Sequence, residues 1–129
     1  MLTLEAYLMG RDKQYKDEFT LDIKTNAEAL VLRVNNLLKD LNWGEVKVTS
    51  GWRPLAVNLK SGGAKRSLHM VGQAVDLGDA DGSLKKAILD KPYLLLDYGL
   101  WLENPKNCPG WAHLDSGIRP SRLIRVFNP

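Results

Sequence analysis

Cysteine and histidine are scarce in this chain: its 129 residues hold one cysteine, Cys108, and two histidines, His69 and His113. A lone thiol excludes an intrachain disulfide and a tetrathiolate zinc ribbon, so any metal site must be built from imidazole and carboxylate. Long apolar runs are missing as well. No stretch approaches the roughly 18 consecutive apolar residues of a membrane-spanning helix, which excludes integral membrane contact of that kind. The opening Met1-Leu2-Thr3-Leu4-Glu5 has no basic flank, and Arg11, Asp12 and Lys13 interrupt any apolar stretch of the export-signal type. Folding in the cytoplasm is therefore expected. No repeat, low-complexity tract or Pro/Gly/Ser-rich linker divides the chain, so one domain over residues 1–129, a monomer, is the economical reading. Charge of one sign is weak too: 18 Lys+Arg against 15 Asp+Glu leaves +3, with acids interleaved throughout, and nucleic acid is not an expected partner. Arg119, Arg122 and Arg125 recur at a spacing of three with no acid among them and read as a solvated basic edge able to meet an anionic envelope.

The elements follow from periodicity. Thr25-Asn26-Ala27-Glu28 fits a capping box, and Leu30, Val31, Val34, Leu37, Leu38 and Leu41 form one helical stripe that stops at Asn42-Trp43-Gly44. A shorter helix over 4–9, capped by Thr3, precedes it, while 11–18 carry no periodic signal. Val46 and Val48 alternate with Lys47 and Thr49, predicting a strand that runs into the turn Ser50-Gly51-Trp52-Arg53-Pro54. Residues 59–66 read as a basic, glycine-containing loop, 73–77 as a strand, 78–83 as a turn into a helix over 84–89, and 93–97 as a helical turn. Three short strands are expected at 100–103, 111–115 and 123–127. The class is α+β, a small antiparallel sheet toward the C-terminal side with flanking helices.

Each histidine has carboxylate company. Asp76 follows His69 by seven positions, a spacing that is not helical but that a loop through Gly72 can close, with Ala74 kept small where backbone approaches something closely. In Trp111-Ala112-His113-Leu114-Asp115, a strand places Trp111, His113 and Asp115 on one face. Two imidazoles and one carboxylate, with a fourth position left to water, are what a catalytic zinc site requires. The plain alternative is a pair of satisfied, partly buried imidazoles with Asp76 as a turn cap.

Taken together, Ser50-Gly51-Trp52-Arg53-Pro54, Ser67-x-His69 with Asp76 beyond it, and Trp111-Ala112-His113 resemble the zinc D-Ala-D-Ala carboxypeptidase family of cell-wall peptidases. That family also includes L-alanoyl-D-glutamate endopeptidases, many of them bacteriophage endolysins. The motifs stand in the family's order and span about half of the chain. The resemblance implies the zinc DD-peptidase, Hedgehog-like fold, one Zn²⁺ bound by His69, Asp76 and His113, a peptidoglycan stem peptide as substrate, and Arg53 holding the substrate carboxylate or the carbonyl under attack. A planar guanidinium suits both tasks. Ser67 is expected as a polar contact near the first ligand and not as a nucleophile, because no histidine remains to activate it.

One departure matters. Many members of the family place the catalytic acid three positions before the last histidine, and that position here is Gly110. The general base must come from elsewhere. Glu103 is the first choice if 100–103 and 111–115 pair as a hairpin, and Asp115, on the His113 face, is the second, unless it only orients an imidazole. A protein lacking a base would instead be a zinc-containing wall-binding or virion structural module. Asp79-Ala80-Asp81-Gly82 hints at calcium but reads better as a helix N-terminal turn. Cys108 reads as a loop cysteine, and Trp52, Trp101 and Trp111 as core or groove residues, with Trp111 the one assigned to substrate.

Overall fold

The computed structural model describes residues 1–129. Thr3 accepts from the Ala6 amide at 3.0 Å and starts α1 (Leu4–Leu8), which ends at Met9 in the left-handed region; a single turn, α2 (Arg11–Gln14), follows. The long helix α3 spans Leu21–Asp40 and begins four residues before the expected capping box. Thr20 takes the cap by accepting from the Ile23 amide at 3.3 Å. The added turn lets Ile23 pack beside Ala27 on the core, which is why the earlier hydroxyl wins over Thr25. Ala27, Leu30, Val34, Leu37 and Leu38 are buried along one face, as the stripe predicts.

Strand β1 (Val48–Ser50) leads through Pro54 into α4 (Leu55–Lys60), a helix that periodicity did not announce. Its only buried residue is Asn58, while Leu55 and Leu59 face solvent, so no inward apolar stripe exists to be read. Then come β2 (Ala74–Asp79), α5 (Ser83–Asp90), α6 (Tyr93–Asp97), β3 (Trp101–Glu103), β4 (Gly110–Asp115) and β5 (Val126–Phe127). No helix is long and apolar enough to cross a membrane.

The strands form one sheet in the order β1-β2-β4-β3-β5, antiparallel except for the parallel β3–β5 pair. The sheet is thus antiparallel as expected but for this one pair, whose cause is topological. Both edges of β4 are taken, by β2 and β3, so the chain reverses after Asp115 and pairs with the outer edge of β3, running antiparallel to β4 and therefore parallel to β3. Alternation then separates two faces. Val75, Leu77, Leu102, Ala112 and Leu114 join the α3 side chains in the core. Asp76, Glu103, Trp111, His113 and Asp115 point the other way and line a cleft.

Two buried charges sit at the far end of the sheet. The Asp79 carboxylate accepts from the Leu84 and Lys85 amides at 2.9 and 3.0 Å, capping α5 as expected of a helix N-terminal turn. Lys85 is buried and donates to the carbonyls of Cys108 (2.6 Å) and Trp111 (2.8 Å), with Asp79 at 3.7 Å. It staples the β3–β4 connection to α5. Replacing it, as Lys85→Met, fills the space but removes the donor from two carbonyls and the cation from a buried carboxylate. A loss of about 2–4 kcal/mol is expected, and an unchanged chemical-denaturation midpoint would contradict it.

Candidate metal centre and active site

His69 is held by the turn that follows β1. Its own 3₁₀ turn, Leu68–Val71, is capped by Ser67, whose hydroxyl accepts from the His69 amide at 3.2 Å. The Arg53 amide donates to the His69 carbonyl at 3.0 Å, and the Trp52 indole donates to the Met70 carbonyl at 3.0 Å. The Gly51 carbonyl lies 2.8 Å from His69 Nδ1. A carbonyl only accepts, so Nδ1 carries a hydrogen toward Gly51 and Nε2 is the nitrogen turned toward Asp76. Gly51 itself cannot be larger, because a Cβ there would overlap the Tyr7 carbonyl. The Ser50–Pro54 segment is therefore a cradle for His69 as well as the carrier of Arg53.

The other groups line up across the sheet. Asp76 pairs with His113 in the β2–β4 register, and the β3–β4 register, Leu102 with Leu114, carries Glu103 opposite His113. Residues directly opposite share a face, so Asp76, His113 and Glu103 form a row over three strands. Asp76 Oδ2 lies 3.4 Å from His69 Nε2, and Asp76 Oδ1 lies 2.9 Å from His113 Nδ1. On its far side, His113 Nε2 sits 2.8 Å from Asp115 Oδ2. Both imidazoles thus have one nitrogen held by an acceptor and the other turned toward Asp76, the pattern that orients metal-binding histidines.

The donor set fits zinc. One atom from each of His69, Asp76 and His113 lies within 4.8 Å of the others. Ligand atoms around a tetrahedral zinc stand about 3.3 Å apart when each is about 2.0–2.1 Å from the metal, close to the 3.4 Å between His69 and Asp76. Electrostatics favour a cation at this point. Burial alone would lower the His113 pKa, but hydrogen bonds to Asp115 and Asp76 outweigh it and push it up to about 9. Burial would likewise raise Asp76, yet its bonds to His113 and His69 hold its carboxyl well below the usual carboxylate range. His113 therefore holds a proton near neutrality that a metal bound at this point would have to displace. Zinc affinity is expected to rise about tenfold per pH unit from near neutrality and to level off above pH about 9, where that proton is already gone. Competition with a chromophoric chelator across pH measures the slope, and a flat profile contradicts the assignment.

The cleft over this row is about 440 Å³, and Arg53, Ser67, Glu103 and Trp111 line it. Arg53 reaches within 4.0 Å of Asp76 and donates to Asn58 Oδ1 at 3.2 Å; its Nε is buried without a partner. Burial lowers the Arg53 pKa, with Asp76 opposing. Asn58 in turn donates to the Ala64 carbonyl, tying Arg53 to the basic loop. Cys108 is buried beside Glu103, and burial together with that carboxylate pushes its thiol up to about 12, so it stays protonated. Gly110 sits at φ 94, which explains glycine there: a side chain would be strained in that conformation. Trp52 and Trp101 are fully buried and are absent from the cleft wall.

Asp115 is 1% exposed and fully engaged, with Gly117 and Arg119 donating to it in addition to His113. The expected basic edge is accordingly broken up. Arg119 lines the cleft, Arg125 lies over the Trp101 ring at 4.5 Å, and only Arg122 is exposed. Periodicity could not announce Arg119, Asn58 or Phe127, since each reaches the site through tertiary contacts; Gly51 at least stood inside a motif.

A sheet that presents two imidazoles and a carboxylate at the floor of an open cleft, beside a guanidinium and a further carboxylate, defines a metallohydrolase. A family model described as Peptidase M15 matches residues 10–90, and the chain belongs to that family, the zinc D-Ala-D-Ala carboxypeptidases. The match covers Arg53, His69 and Asp76, whereas Glu103 and His113 lie beyond it. Membership makes the chain a zinc metallopeptidase of a family whose chemistry is the hydrolysis of peptidoglycan peptides. No curated protein matches the chain.

Proposed function

We propose that this protein cleaves an amide bond in peptidoglycan stem peptides, with one zinc held by His69, Asp76 and His113. The observation that carries the reading is the row Asp76–His113–Glu103 across three strands, with His69 closing on Asp76 from the side. Zinc bound there supplies Lewis-acid polarisation of the scissile carbonyl and of the attacking water. Glu103, opposite His113 and free of the ligand set, takes the proton of that water and returns it to the leaving amine. Arg53 grips the substrate carboxylate or the developing oxyanion, its buried and unpartnered Nε supporting that task. Trp111 flanks the substrate, and Ser67 acts by capping the turn that presents His69. Asp115 orients His113 in this reading and leaves the base to Glu103, because its oxygens already accept four hydrogen bonds.

A role as a phage or prophage endolysin, held in the cytoplasm and acting on the wall after release, fits the motif resemblance. Mass spectrometry of fragments released from purified peptidoglycan, beside a chelated control, tests the activity. Loss of a terminal D-Ala identifies a carboxypeptidase, and release at L-Ala–D-Glu identifies an endopeptidase. No release from several wall types by folded, zinc-loaded protein would overturn the reading in favour of a wall-binding or virion module.

A further inference from the structure

The C-terminal segment does more than edge the sheet. Asp115 Oδ2 accepts from His113 Nε2 (2.8 Å) and from one terminal nitrogen of Arg119 (3.1 Å); Asp115 Oδ1 accepts from the Gly117 amide (3.0 Å) and from the other (2.6 Å). The guanidinium therefore grips both oxygens of a carboxylate that is itself bound to the candidate ligand. Its own position is fixed from the opposite side, where it lies 3.6 Å from the Phe127 ring centroid and 5.3 Å from that of Trp101. Phe127 also meets the His113 ring edge-on at 5.8 Å. One aromatic ring on β5 thus braces both ends of the chain Arg119–Asp115–His113.

We infer that Arg119 is a positioning residue for the metal centre: through its two-pronged grip on Asp115, braced by Phe127, it fixes the His113 imidazole with Nδ1 toward Asp76. A carboxylate held only by an imidazole and one amide can rotate about its Cβ–Cγ bond, and a planar fork removes that freedom where a point charge does not. This gives β5 its purpose on the free edge of β3: it delivers Phe127, and the link from 116 to 125 delivers Arg119. The inference rests on the zinc ligands proposed above.

Zinc affinity of the full chain, measured by competition with a chromophoric chelator at one pH, tests it, with the cobalt(II) absorption spectrum as a second readout. Arg119→Ala is expected to weaken zinc binding 10- to 100-fold, the range for groups that hold a metal-binding histidine, and to shift the cobalt bands. Arg119→Lys, which keeps the charge but loses the fork, is expected to fall between. Arg125→Ala, which removes a stacked guanidinium that does not touch Asp115, is expected to stay within about twofold of the parent. Asp115→Asn combined with Arg119→Ala is expected to cost little more than Asp115→Asn alone, because the two act through one path. Parental affinity in Arg119→Ala, while His69→Ala has lost zinc, would overturn the inference and leave the ligand set standing. Parental affinity in His69→Ala would overturn the ligand set itself. If Arg119→Ala does not fold, Arg119→Lys decides, and affinity equal to the parent's overturns the inference.

Discussion

Glu103→Gln is expected to bind zinc as tightly as the parent protein and to turn over peptidoglycan about 10²–10⁴-fold more slowly, the usual contribution of a positioned general base. The substitution is nearly isosteric and leaves His69, Asp76 and His113 untouched, so metal content should not change. Glu103 lines the cleft opposite His113 and is half-buried. The contrast with Asp115→Asn discriminates between the two carboxylates. Loss of the Asp115 charge loosens His113 and lowers zinc affinity along with rate, whereas Glu103→Gln lowers rate alone. Unchanged turnover in Glu103→Gln would remove this residue from the mechanism. Gly110, which has no side chain, cannot substitute for it.

Asp76→Ala is expected to abolish zinc binding and detectable hydrolysis together. Asp76 is the hub of the centre, 2.9 Å from one imidazole, 3.4 Å from the other and 4.0 Å from Arg53. Without it, the cluster loses its only anionic ligand and the Arg53 guanidinium is left unopposed, so the attraction for a cation is lost. Thermal unfolding with and without chelator separates this from general damage. A ligand present at about a thousandfold excess over its Kd stabilises the native state by about 4 kcal/mol. Chelation of the parent protein should therefore lower its Tm by on the order of 10 °C, while Asp76→Ala should melt at one temperature in either buffer. A chelator-sensitive Tm in Asp76→Ala would show that the metal is held elsewhere.

How much of this was legible beforehand differs by element. The α3 stripe, the Thr3 cap, the turn into α5 and the alternation along β4 depend on neighbours a few residues apart, and the structure contains all of them. Where local signals competed, the reading slipped: Thr20 and Thr25 both offer a hydroxyl, and the gain from packing Ile23 chose between them. Where burial and periodicity parted, as in α4 with its exposed leucines, there was nothing to read. The hairpin between β3 and β4 was anticipated, and from it the placement of Glu103 beside His113.

By itself the sequence determined the chemical alphabet of the site. One thiol, two imidazoles and their nearby acids, in the order and spacing of a known family, pointed to His69, Asp76 and His113 as the proposed metal ligands. It also set the helix and strand periods that carry those residues. Only the tertiary structure decided which nitrogen of each histidine faces Asp76, that Asp115 is consumed by four hydrogen bonds, that Arg119 and Phe127 brace it, and that Lys85 staples the loop behind the site. The reason is physical. Periods report which face of an element is buried, but hydrogen-bond partnership between residues far apart in the chain depends on register and edge availability, which arise only when β4 has filled both of its edges and β5 must find another.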